Sequence, residues 1–179
     1  MRVTERAAAR WKDMDRHAEH HPDQKFRVVL RPTALGLLAT YLAAGLLIGI
    51  GATAAQGSAT HVLMIASQFT LLALGAVIGH ELGHAYVAVL TGRRVHSLTL
   101  RLGAAVLIER HGGRLGNVLV ALGGPVASLL IAGVYLGLGH GIASPATWAG
   151  MLALADAGLN LVPVTRSADG ARAFAALAH

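Results

Sequence analysis

Apolar residues fall into four long runs along the chain, over 33–55, 62–90, 118–138 and 146–164. A bilayer core of about 30 Å takes roughly 20 helical residues to cross, so each run can span, the fourth only just. The second is long enough to tilt or to extend beyond the core. Between the second and third runs the pattern changes. Leu98, Leu100 and Leu102 alternate with Ser97, Thr99 and Arg101, the period of a strand. Gly103 and His111-Gly112-Gly113 supply turn signals, which predicts a β-hairpin or short sheet. The first 31 residues are polar, with Ala7, Ala8, Ala9 and Trp11 favouring a short surface helix. The predicted fold is an integral membrane protein, mainly α, with about four transmembrane helices and a small cytoplasmic-side β-hairpin or sheet. Its two parts are an N-terminal arm over 1–31 and a membrane-embedded domain over 32–179.

Charge placement sets the expected orientation. The linkers 51–61 and 139–147 hold no Lys or Arg, whereas 91–115 carries Arg93, Arg94, Arg101, Arg110 and Arg114. The arm is Arg-rich and the tail has Arg166 and Arg172. Positive loops stay in the cytoplasm, so both termini are expected there. The chain of 179 residues is 54% hydrophobic and only 13% charged, against about a quarter charged in soluble domains. Its +6 balance flanks apolar runs rather than forming a basic face with aromatics, which argues against nucleic acid. There is no cysteine, so disulfides and thiolate chemistry are excluded. A cleavable signal peptide would place its apolar core earlier. Arg in excess of Lys, with abundant Ala and Gly, suits a GC-rich bacterial genome. Glycines recur at four-residue steps: Gly45 and Gly49; Gly75, Gly79 and Gly83; Gly133 and Gly137. Such spacing lets helices pack closely in lipid.

His80-Glu81-Leu82-Gly83-His84 lies inside the second run. Residues i and i+4 share a helix face, so both imidazoles can reach one Zn²⁺ at about 2.0–2.1 Å. Glu81 stands beside the metal, where it can hold the attacking water and take its proton. The bland alternative is a pair of histidines satisfied by helix–helix hydrogen bonds. A carboxylate and two imidazoles are costly in an apolar run, however, and mark function. A third ligand has to come from another segment. After residue 23 the carboxylates are Glu81, Glu109, Asp156 and Asp169. Pro163 is expected to break the fourth helix at its cytoplasmic end, freeing carbonyls to line a wet cavity. Asp156 stands four residues before Asn160 on the same helix face, and competes with Asp169 as ligand, proton relay or protonated neighbour. His17, His20 and His21 read as part of a solvated arm.

These residues resemble the site-2 proteases, a family of intramembrane zinc metalloproteases that cut membrane-anchored regulators. The His80–His84 segment is similar to their zinc helix. Gly124-Pro125-Val126-Ala127-Ser128 resembles the Gly-Pro stretch of the following core helix. Asn160, Pro163 and Asp169-Gly170 resemble the Asn-x-x-Pro…Asp-Gly signature, with one residue more than usual between Pro and Asp. The family often has Asn where Ser128 stands. The resemblance implies His80, His84 and Asp169 as zinc ligands, one ion per chain, and Ser128 and Asn160 as groups that steady the substrate backbone.

The resulting expectation is hydrolysis of a peptide bond in or near the transmembrane helix of a membrane-anchored protein substrate. Glu81 acts as base, and the active-site mouth opens on the cytoplasmic side of a bacterial membrane. The strand over 98–102 is a candidate to pair with the unwound substrate. The rival readings are a zinc-binding membrane protein without hydrolysis, such as a sensor or pseudoenzyme, and a structural or transport protein.

Overall fold

The computed structural model describes residues 26–53, 58–100, 104–108, 113–162 and 168–178. The surface helix expected near 7–11, the turns at Gly103 and His111-Gly112, the end of the 98–102 strand and the break at Pro163 lie outside these residues. In chain order the elements are β1 (Arg27–Leu30), α1 (Ala34–Thr53), α2 (Ala59–Leu90), β2 (Val95–Leu100), β3 (Ala104–Ile108), α3 (Arg114–Leu138), α4 (Pro145–Leu161) and α5 (Asp169–Ala178).

Among the described residues three helices, α1, α2 and α3, are long and apolar enough to cross a membrane. Many of their large side chains, among them Leu35, Leu47, Leu71 and Leu130, face outward. In water this would be a costly apolar surface; in lipid it costs nothing. The fourth run yields a shorter helix. α4 has 17 residues, about 26 Å at 1.5 Å per residue. It starts with Pro145 in the first turn, where the missing N–H is no loss. It stops at Val162, which is extended, as the residue before a proline prefers.

α2 has 32 residues and is the central helix, packed against α1, α3 and α4. Ser58 caps its start by accepting from His61 N–H at 3.3 Å. At its end Gly92 turns left-handed, with φ +74°. Its N–H reaches Val89 O at 3.0 Å and that of Arg93 reaches Ala88 O at 2.8 Å, a Schellman ending. The chain is thereby turned into β2.

Small residues set the helix spacing. A Cβ at Gly45 or Gly49 would strike the α2 backbone at Ala66 or Val62. Gly83 and Gly123 oppose one another so closely that a Cβ on either would strike the other's carbonyl. Gly133 and Gly137 have the same spacing but meet nothing, so the packing expected there is not made. Phe69, Ala73 and Ala149 form one core cluster and Ala76, Ala132 and Ala153 another. Tyr41 of α1 meets Phe69 edge-on at 6.5 Å.

The β patterning gives β2 and β3 as an antiparallel pair, with Leu98 opposite Val106. A third strand was not expected. Residues 27–30, assigned above to the polar arm, form β1 and pair in parallel with β2, Val28 opposite Leu98. β2 is therefore central in the order β1-β2-β3. Both its edges are taken, so Leu98–Leu100, the described part of the strand read over 98–102, cannot accept a substrate strand. Only β1 and β3 have an outer edge.

Candidate metal centre

His80 and His84 lie one turn apart on α2 and are both buried. Their rings meet edge to face, with centroids 4.9 Å apart. Asp169, buried in the first turn of α5, comes up against them. Gly170 makes this approach possible. A Cβ there would strike the Leu161 carbonyl at the end of α4. The Asp169 carboxylate is also met by Arg172, at 3.3 Å from Oδ1.

The atoms that converge are His80 Nε2, His84 Nε2 and Asp169 Oδ2. Asp169 Oδ2 is 3.1 Å from the first nitrogen and 3.2 Å from the second, and the nitrogens are 3.2 Å apart. The far sides of the rings show what these atoms carry. His84 Nδ1 is 2.6 Å from Val120 O on α3. The Gly124 N–H also approaches this nitrogen, at 3.2 Å, but the carbonyl is nearer and only accepts; with the ring proton on Nδ1, Nε2 is a bare lone pair. Pro125, four residues on from Ala121, withholds the N–H that would bond that carbonyl and loosens the ladder beside Val120. His80 Nδ1 faces Asp156 Oδ2 at 2.8 Å and Ser128 Oγ at 2.9 Å. In neutral His80 the Asp156 and Asp169 carboxylates compete for the one ring proton, at 2.8 Å from Nδ1 and 3.1 Å from Nε2; with the proton on Nδ1, Nε2 is bare as well.

With neutral rings, three acceptors converge and none has a hydrogen to share. Such a group needs a cation among its members. The spacing suits one, because a tetrahedral ion with bonds of about 2.0–2.1 Å holds its ligand atoms about 3.3 Å apart. α3 leaves the space open: a Cβ at Gly124 would strike Nε2 of both histidines. His80, His84 and Asp169 thus form a cluster able to hold a metal ion.

Glu81 is not in this cluster. Its Oε2 accepts from the Val106 N–H of β3 at 2.9 Å. That contact ties the sheet to the helix bearing the histidines. Ser128, expected against substrate, is fully buried behind His80, and its hydroxyl donates to Asp156 Oδ2 at 2.8 Å. Asn160, expected in the same role, turns its amide to Asp156, 2.9 Å from Oδ1 and 3.0 Å from the backbone oxygen. Asp156 therefore sits on the nitrogen of His80 that faces away from the cluster. The i, i+4 spacing of Asp156 and Asn160 hinted at their partnership, and the Gly-Pro stretch marked Gly124 without its contact to the histidines; nothing in the sequence pointed to Val106.

Residues 54–162 match the family model described as Peptidase M50B-like. The chain belongs to the M50B-like peptidases. This bears out the site-2 protease resemblance read from the motifs. The match holds the histidine pair and the Gly-Pro stretch and ends before Asp169. Among solved structures, the Site-2 Protease from Methanocaldococcus jannaschii shares the fold. Its TM-score is 0.56 at 22% identity, over 86% of this chain and 67% of that one. No curated protein matches the sequence. This M50B-like chain is thus a mainly helical member of a metallopeptidase family, with apolar helices suited to a bilayer and a three-residue cluster suited to a metal.

Proposed function

We propose that the chain is a zinc metalloendopeptidase that hydrolyses a peptide bond in or near the transmembrane segment of a membrane-anchored protein. The observation that carries this is the meeting of His80, His84 and Asp169 inside an apolar bundle, with Glu81 next in sequence to His80. His80, His84 and Asp169 hold one Zn²⁺. When bound there, zinc polarises the scissile carbonyl and lets water lose a proton near neutral pH. Glu81 takes that proton and returns it to the leaving amine. Its hydrogen bond to Val106 keeps the carboxylate oriented and leaves its second oxygen for the water.

A helical substrate hides its carbonyls and has to unwind before cleavage. β3 is an edge strand whose Val106 N–H already points at Glu81. A substrate segment laid along that edge arrives beside the base. α1, α2 and α3 span the membrane and α4 completes a fourth crossing. The arginines of 91–115 and both termini lie in the cytoplasm of a bacterial cell.

The test compares wild type with Glu81→Gln, which keeps the shape but not the basicity of the carboxylate. Both variants should bind equal zinc. Only wild type should cut a single-span substrate in liposomes, a chelator should stop it, and the mutant should lose at least about 10²–10⁴-fold in rate. Equal cleavage by the mutant would remove Glu81 as base. Zinc uptake without cleavage of any membrane substrate would favour the non-hydrolytic reading.

A further inference from the structure

An imidazole offers Nε2 to a metal only when its own proton sits on Nδ1. For His84 a main-chain carbonyl secures this. His80 has no carbonyl in that place. Its Nδ1 meets the Asp156 carboxylate and the Ser128 hydroxyl. The hydroxyl proton is committed to Asp156 Oδ2, so Ser128 can only accept from the ring. Asp156 Oδ1 is filled by the Asn160 amide. The carboxylate is thus held by Ser128 of α3 and by Asn160 one turn along its own helix, and cannot turn toward Nε2 without breaking these bonds.

We propose that Asp156 is the positioning residue of the metal centre. It keeps His80 in the Nδ1–H form with Nε2 bare and aimed at the ion, and its charge strengthens that nitrogen as a ligand. Ser128 and Asn160 hold Asp156 in turn. The proposal deepens the zinc reading above and rests on it. It also gives Ser128 and Asn160 a task different from holding substrate.

The experiment uses full-length protein in detergent: wild type, Asp156→Ala, Asp156→Asn and Asp169→Ala. Zinc affinity is measured by competition with a chromophoric chelator. Histidine ¹⁵N spectra of the zinc-free protein report which ring nitrogen carries the proton. Asp156→Ala should bind zinc about 10–100-fold more weakly, yet still reach one ion per chain at saturation. Its His80 should become a mixture of the two ring forms. Asp156→Asn, which keeps shape and one accepting oxygen, should show a smaller loss. Asp169→Ala should lose zinc with the His80 ring form unchanged. Wild-type affinity and a wild-type ring form in both Asp156 variants would overturn the proposal. So would an Asp156→Ala protein that cannot be saturated, since Asp156 would then be a ligand. If Asp156→Ala does not fold, the isosteric Asp156→Asn carries both measurements. If wild type itself takes up no zinc, the proposed function fails, while the ring form in wild type and Asp156→Asn still decides the role of Asp156.

Discussion

Replacing Gly124 by alanine adds one carbon at the point where α3 faces both metal-directed nitrogens. The rings can yield only by turning, and each is pinned from behind. His84 would break its 2.6 Å bond to Val120 O, and His80 its 2.8 Å contact with Asp156. A neutral hydrogen bond is worth about 0.5–1.5 kcal/mol net and one to a charged group about 1.5–3 kcal/mol. Losing both costs about 2–4.5 kcal/mol, which at 1.4 kcal/mol per tenfold is a loss of roughly 30- to 1,600-fold in zinc affinity. The helix cannot back away easily, because Gly83 and Gly123 already fix its distance from α2. Helix propensity works in the opposite sense, since alanine is favoured over glycine by about 0.8–1.0 kcal/mol. The signature is therefore a folded, helical protein with weakened zinc binding. The assay is chelator competition for zinc, alongside thermal melting of the metal-free protein. Gly133→Ala is the control, because a Cβ at that position of α3 meets nothing. Wild-type zinc affinity in Gly124→Ala would refute the assignment of the three acceptors as ligands.

Three further outcomes are expected. His84→Ala and Asp169→Ala should each remove most of the zinc, read by metal analysis after dialysis; retention of a full equivalent in either would exclude that residue as a ligand. A cysteine at position 114, in this cysteine-free chain, should resist an impermeant thiol reagent applied outside intact cells, and its labelling would reverse the proposed orientation. Gly45→Leu should push α1 off Ala66 and destabilise the protein by about 1–3 kcal/mol in a detergent melt, whereas a change at Gly51, which meets nothing, should have little effect.

Three long apolar helices and the β2–β3 pair were legible because a bilayer asks for an apolar run of set length and a sheet for alternation along the strand. β1 was not. Its apolar residues stand between Arg27 and Arg31, and a parallel pairing of Val28 with Leu98 leaves no local trace. Glycine spacing misled at one place. Gly133 and Gly137 repeat the step of Gly79 and Gly83, yet spacing does not say which face of a helix meets a neighbour. The histidine pair was readable from one turn of helix. Asp169 stood out from Asp156 through its Asp-Gly end and the family resemblance, while the fit of Gly170 against Leu161 that lets it approach left no trace in the sequence. The roles of Asp156, Ser128 and Asn160 depend on which ring nitrogen of His80 they meet, and that is a matter of side-chain orientation that spacing does not encode.

The touching backbones at Gly83 and Gly123 bear on which ion the protein accepts. Nitrogen and oxygen donors by themselves rank copper above zinc, so discrimination has to come from shape. Here two helices meet main chain to main chain beside the cluster, and the rings are anchored behind it. The donor atoms cannot spread far beyond the 3.1–3.2 Å at which they now stand. Calcium, with six to eight oxygens at about 2.3–2.6 Å, would ask for a wider and more crowded shell. With zinc held as proposed, ion selectivity would be set in part by two residues that have no side chain at all.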